Sequence, residues 1–313
     1  MNTWNKICTL SLVHFMAYPE MQSGEGDFVA TIHEIGKRNF FGALELGTIN
    51  QPAERSNIVQ ALREYDLQVA YGAQPLILSQ NLNLNAFELQ PRLNALQTIK
   101  YAIDQAAEIG VTNFVILSGK DPGETLRQQA YVILEESILN LGAYALQYGI
   151  HIILETFDRS IDKKVLVGPS FEAAEIAKKI RRSMPSFGLL YDMGHMPLLD
   201  ETPLPALQIL QGTLAEVHLG NCVKTPGHTG YGDKHPGFGY QGGVNSTAEL
   251  VEFIQALFAT GYLSKSPATD ELPWLGFEIR PQDGETTQHV LDNIQETWQQ
   301  AWAQIEDLIE TGE

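Results

Sequence analysis

Short apolar runs alternate with longer amphipathic segments along nearly the whole chain, and this rhythm restricts the fold more than any other feature. Runs of strand length lie at residues 7–13, 41–46, 67–71, 113–117, 150–154, 187–191, 214–217 and 275–277. Between them, 28–37 places Phe28, Val29, Ile32 and Ile35 at helical spacing. Further helices are predicted over 53–64, from Pro91 to a stop at Gly110, and over 124–148, 171–182, 204–210, 247–259 and 286–305. The stretch from the third strand through Asn85 reads as irregular.

Strand–helix alternation of this kind implies a parallel sheet, because each right-handed crossover needs a helix. Roughly eight such units in 313 residues predict a closed (β/α)₈ TIM barrel of α/β class, a fold of about 250 residues before insertions. The whole chain, 1–313, is expected to be one domain, since no composition shift marks a boundary. A doubly wound open sheet would announce itself by a glycine-rich turn after its first strand, whereas His14-Phe15-Met16 follows here.

The chain carries 38 acidic against 20 basic residues, a formal charge of -18. Such a field repels phosphate backbones and anionic lipid, so neither nucleic acid nor membrane is an expected partner. Two cysteines, Cys8 and Cys222, make no disulfide framework and fit reduced thiols in a cytoplasmic protein. The apolar run 7–13 after Lys6 is interrupted by His14 and lacks a small-residue cleavage site, so it reads as a first strand rather than a leader. Oligomeric state stays open, homo-oligomers included.

In a barrel, residues at the C-terminal ends of strands converge on the active site. Strand one ends at His14 and strand two holds Glu45. Strand five ends at Glu155; strand six ends at Asp192, with His195 three residues on. Strand seven ends at His218, and strand eight at Glu278 with Arg280 beyond. Four consecutive strands thus end in Glu, Asp, His and Glu. Clustered carboxylates raise one another's pKa unless a cation neutralises them. Three carboxylates and one imidazole form a mostly hard oxygen site, suited to one Mn²⁺ or Mg²⁺ and compatible with Zn²⁺ or Co²⁺. Glu155, Asp192, His218 and Glu278 are therefore the expected ligands of one divalent metal.

A second informative stretch is Gly230-Tyr231-Gly232-Asp233-Lys234-His235-Pro236-Gly237. Asp233 and His235 occupy alternate positions and point the same way if locally extended. With His195 they form either a polar wall or a second metal site; the alternative is a loop whose Gly, Pro and Asp only set turns.

The order Glu155, Asp192-x-x-His195, His218, Asp233-x-His235 and Glu278-x-Arg280-Pro281 resembles the xylose isomerase-like barrel superfamily. That superfamily covers sugar isomerases and epimerases, inosose dehydratase-type enzymes and an apurinic endonuclease branch. The resemblance implies the same four metal ligands. It also implies that Glu155 and Glu278 act as the acid–base pair and that His195 touches substrate. The implied activity is isomerisation or epimerisation of a sugar or sugar-like polyol ketone by proton transfer through an enediolate. The alternatives are a metal-dependent dehydratase of an inosose or cyclic keto acid and a non-catalytic sugar-binding barrel. Arg280 would orient Glu278 or a substrate oxygen, and His14, Glu45, Asp233 and His235 join His195 as expected substrate contacts. The endonuclease branch adds histidines after its third and fourth strands, and here those strands end without histidine. The further acid that the epimerases carry after the first glutamate has Asp158 as its candidate, in a different local context.

Overall fold

In the computed structural model, which describes residues 3–264, 266–267 and 271–311, eight strands pair in sequence order and close on themselves, each parallel to both neighbours. They are β1 (Thr9–Val13), β2 (Ala43–Leu46), β3 (Gln68–Gly72), β4 (Asn113–Leu117), β5 (His151–Glu155), β6 (Gly188–Asp192), β7 (Leu214–Gly220) and β8 (Trp274–Glu278). The helices, in chain order, are α1 (His14–Ala17), α2 (Phe28–Lys37), α3 (Pro52–Glu64), α4 (Gln74–Ser79), α5 (Leu89–Glu108), α6 (Glu124–Ala145), α7 (Ser170–Arg181), α8 (Pro203–Leu210), α9 (Thr247–Ala259) and α10 (Thr287–Thr311). The expected TIM barrel is therefore present, with all eight units in the predicted order.

Two short helices, α1 and α4, follow β1 and β3 directly and were not expected. The stretch through Asn85 is thus partly helical. Six residues are too few to show a helical period, so α4 left no readable pattern.

The local signals are conventional. Asp27 accepts from Ala30 N at 2.9 Å at the start of α2, and Ser246 and Glu249 form a capping box on α9. Gly149, at φ 73°, takes the left-handed conformation that ends the α6 segment and turns the chain into β5.

Strand side chains alternate between two environments. Leu12, Leu44, Leu46, Ile152, Leu154, Leu189 and Tyr191 belong to the large core between barrel and helices. Each such fully buried side chain is worth roughly 1.5–3 kcal/mol relative to exposure. The residues of opposite parity fill the lumen: Ala43, Ala70 and Trp274 in one cluster, Val115, Ile153 and Leu190 in another.

Between β6 and β7 the register slips: Leu189 pairs with Leu214, but Leu190 pairs with Glu216. Ala215 is the extra residue, a β-bulge. Gly188 makes room for it, since a Cβ there would lie 2.3 Å from the Ala215 Cβ. Beyond the bulge, Tyr191 pairs with Val217 and Asp192 with His218. Among the described residues no helix is long and apolar enough to cross a membrane.

Candidate functional site

At the C-terminal end of the lumen the inward-facing residues change from apolar to ionisable. Glu155 on β5, Asp192 on β6, His218 on β7 and Glu278 on β8 are all buried there. His218 stands between two carboxylates: its Nδ1 lies 2.8 Å from Glu278 Oε2 and 3.9 Å from Glu155 Oε1. Ligand atoms of Glu155, His218 and Glu278 lie within 4.8 Å of one another.

Asp192 is shared with a neighbouring group. Its Oδ1 accepts from Gly194 N at 2.7 Å, and its Oδ2 lies 3.3 Å from His195 Nε2 and 3.8 Å from His235 Nδ1. Asp192, His195 and His235 form a second set of ligand atoms within 4.8 Å. His195 Nδ1 lies 2.8 Å from Thr156 O, and His235 Nδ1 lies 3.1 Å from Glu278 O. Both Nδ1 atoms therefore donate to backbone carbonyls, which leaves the Nε2 atoms facing Asp233 Oδ1 at 3.0 and 2.7 Å. Asp233 and His235 are thus brought to the site beside His195, although the φ of 50° at His235 shows that their segment is not simply extended.

Glu45 sits beneath His218, with Oε2 3.0 Å from Nε2. A carboxylate behind an imidazole fixes its orientation and raises its basicity. Gln74, at the start of α4, donates to Glu45 Oε1 at 3.1 Å and to Glu155 Oε2 at 2.7 Å. Glu216, one strand period below His218, is buried beside them and completes a third set with Glu45 and His218. Neither Gln74 nor Glu216 was anticipated. Gln74 lay hidden in the unread helix, while Glu216 shares the parity of His218 and was legible by alternation.

His14 is not brought to the site. Its ring is buried between Tyr18 and Phe28, with Nε2 2.8 Å from Thr31 Oγ1. The reason is parity: Val13, not His14, continues the inward face of β1, and His14 turns toward the helices. Burial alone pushes its pKa down to about 3, so it is neutral. Asp158 is also occupied elsewhere, accepting from the backbone N–H groups of Ile161, Asp162 and Lys163 at 2.6–2.8 Å. It folds the loop after β5 rather than facing the cavity.

The electrostatics match a crowded anionic cluster. Burial and the Glu278 carboxylate raise Glu155 well above the usual carboxylate range. Burial also raises Asp192, against the pull of His195. Burial would lower His218 and His195, but Glu45 and Glu278 around the first, and Asp233 and Asp192 around the second, hold both well above their ordinary value. His235 rises to about 9 against burial, through Asp233 and Glu278. Glu278 falls to about 2 in spite of burial, because His235 and His218 face it.

The donor set fits a divalent cation. Glu155 Oε1 and Asp192 Oδ2 are buried and receive no hydrogen bond, which is a costly arrangement unless something positive occupies the space between them. A cavity of about 350 Å³ opens above these groups, lined by Phe15, Met16, Gln74, Phe157, Lys163 and Arg280 among others, and floored by Asp233, His235 and Glu278. A larger space, about 1060 Å³, lies at the opposite end, lined by strand starts such as Gln68, Asn113 and His151. It contains none of the convergent strand-end acids, and TIM barrels place their chemistry at the other end.

Fold and cluster together define an α/β barrel with a carboxylate–imidazole centre at the C-terminal ends of its strands. The chain belongs to the family described as xylose isomerase-like TIM barrel, whose model matches residues 24–309. No curated protein is matched by the sequence. Among solved structures, the IOLI protein with a bound zinc atom is similar at 14% identity and a TM-score of 0.69, covering 94% of this chain and 97% of its own. An L-ribulose 3-epimerase is similar at 14% identity and a TM-score of 0.68, covering 96% and 98%. A D-psicose 3-epimerase from Clostridium cellulolyticum H10, solved with D-tagatose, is similar at 16% identity and a TM-score of 0.64, covering 91% and 89%. At these identities the likeness is one of fold.

Proposed function

We propose that this chain, a single domain over 1–313, is a divalent-metal-dependent isomerase or epimerase acting on a small sugar or sugar-like polyol ketone in the cytoplasm. The observation that carries the proposal is the approach of Glu155 and Glu278 to one atom, His218 Nδ1, beside a cavity of small-molecule size that Glu278 lines. The names of the similar structures, two sugar epimerases among them, support the same substrate class.

Glu155, Asp192, His218 and Glu278 would hold one cation, Mn²⁺ or Mg²⁺ by their hardness, with Zn²⁺ or Co²⁺ as alternatives. Such an ion supplies Lewis-acid polarisation of a carbonyl and its adjacent hydroxyl. The remaining work falls to side chains. Gln74 donates to Glu155 Oε2 and so fixes the orientation of the carboxylate, which would take the α-carbon proton from beside the cation position. Glu278 returns a proton from the opposite side, giving the isomer or epimer through an enediolate. Each correctly placed acid–base group is worth about 10²–10⁴-fold. His195, held by Thr156 O, has Nε2 beside Asp233 and Asp192 and would share it with a substrate oxygen, and Phe157, in contact with its ring, shields that side from water. Asp233 and His235 complete the polar wall, and His235 with Asp192 and His195 would offer a second cation position.

Turnover in heavy water tests the proposal. Solvent deuterium should enter the substrate α-position, and chelation should abolish activity. Complete retention of the α-hydrogen would sink the proton-transfer step, and full activity after chelation would sink the metal. A dehydratase would instead release a conjugated product absorbing in the ultraviolet. A non-catalytic sugar-binding barrel would keep its ligand in Glu155→Gln without converting it.

A further inference from the structure

Three cationic side chains line the cavity of a chain whose formal charge is -18: Lys163, Lys234 and Arg280. Two of them are already matched. Lys163 Nζ lies 2.8 Å from Asp233 Oδ2 and 3.5 Å from Asp162 Oδ2, and Lys234 Nζ lies 3.9 Å from Asp162 Oδ2. Arg280 differs. Among the described residues no carboxylate stands within 4.0 Å of its guanidinium, and its side-chain partner is the neutral Gln22 Oε1, 3.2 Å from Nη1.

The residue is nevertheless built in. Its backbone N–H donates to His235 O at 2.7 Å, and Gln282 Nε2 donates to both Arg280 O and Lys234 O, at 2.9 and 3.0 Å. These bonds tie the segment after β8 to the loop that carries Asp233 and His235. A half-buried guanidinium with one of its five N–H donors on a neutral amide and none on a carboxylate, in a protein with an excess of acids, is not a stabilising surface ion pair. Its planar fork suits an oxyanion.

Position sets the rest. Arg280 lies two residues beyond Glu278, and both side chains line the same cavity. A five- or six-carbon ketose held at Glu278 by its reacting end would extend through that cavity toward the guanidinium. We infer that Arg280 is the anion-recognition residue of this cavity, and that the substrate is a ketose carrying a terminal oxyanion, a phosphate ester or a carboxylate. The inference rests on the proposed action on sugars.

The test uses the full chain and three ketoses that differ only at the sixth carbon: D-fructose, D-fructose 6-phosphate and D-fructuronate. Inorganic phosphate serves as a minimal anion. Dissociation constants are measured with metal-loaded and chelator-treated protein, for wild type, Arg280→Gln and Arg280→Lys. At least one charged ketose should bind 10–100-fold more tightly than D-fructose, as charge-assisted hydrogen bonds allow. The preference should persist after chelation, vanish in Arg280→Gln and return in part in Arg280→Lys. The charged probe that wins separates phosphate from carboxylate. Equal affinities for charged and neutral ketoses, a preference unchanged in Arg280→Gln, or failure of every charged probe to bind, phosphate included, overturns the inference. Deuterium exchange on a neutral ketose with no charge preference overturns this inference alone. A charge preference without exchange on any ketose overturns the isomerase proposal alone.

Discussion

Glu155 and Glu45 occupy the same buried cluster and do different work, and substitution should separate them. Glu155 has one oxygen held by Gln74 and one that receives no hydrogen bond. Glu155→Gln should lower the rate of α-hydrogen exchange by about 10²–10⁴-fold, read by mass spectrometry of the recovered ketose. Glu45 touches His218 from behind, at Nε2. Glu45→Gln should weaken metal affinity by about 10–100-fold with a smaller loss of turnover at saturating metal, measured by metal titration. At this scale the sequence was legible wherever strand ends declared themselves: Glu155, His218 and Glu278 lie together, while Asp192 stands with His195 and His235. It failed for His14 because strand membership alone does not say which face a residue takes. Val13 and His14 are adjacent, and only pairing with β2 fixes Val13 as the partner of Glu45.

The elements position the cluster through close approaches that a composition cannot reveal. Gly276 on β8 pairs with His218, and a Cβ there would lie 2.8 Å from His218 Cδ2 and 2.9 Å from Ser11 Oγ. Gly276→Ala should therefore tilt the imidazole and weaken metal binding, at about 1–3 kcal/mol of stability; unchanged affinity would show that the ring has room. A second element-level device lies in the loop before α6. Arg127 donates to both oxygens of Asp121 at 3.0 and 2.7 Å, and this bond holds the Asp121 carboxyl below its ordinary value against partial burial. A depressed carboxylate adds stability above its unfolded pKa and loses it as pH falls through the folded value. The gap in Tm between wild type and Arg127→Ala should thus be full near pH 6 and narrow toward about pH 3. Helices long enough to show a period were legible from sequence, and α4 was not. With it went Gln74, which binds Glu155 and Glu45 at once.

For the whole molecule, the eightfold rhythm was the most legible property, because crossovers between parallel strands leave little choice of topology. The expected cation couples the site to global stability, since anything that binds only the folded state raises its unfolding free energy. Saturating Mn²⁺ at about 100 times its Kd should add about 2.7 kcal/mol, seen as a higher Tm that chelator reverses. Stoichiometry in the same titration separates one occupied position from two. The barrel interior holds Glu45, Glu155, Asp192, Glu216 and Glu278 close together, so part of the acidic excess is lodged inside rather than spread on the surface.

The surplus residue between β6 and β7 marks where strand seven tolerates a change of length and where it does not. Ala215 has no partner on β6, so without it Leu214 and Glu216 would follow one another opposite Leu189 and Leu190, and His218 would still face Asp192. Two residues further on the ladder is regular, and there a lost residue exchanges the two faces of the strand. With Val217 removed, His218 would fall opposite Tyr191 and turn into the helical coat, while Leu219 would enter the lumen opposite Asp192. A single-codon deletion there acts as a frameshift in space, erasing an imidazole from the centre without changing any residue that forms it. Length changes in the solvent-facing turns leave this parity untouched.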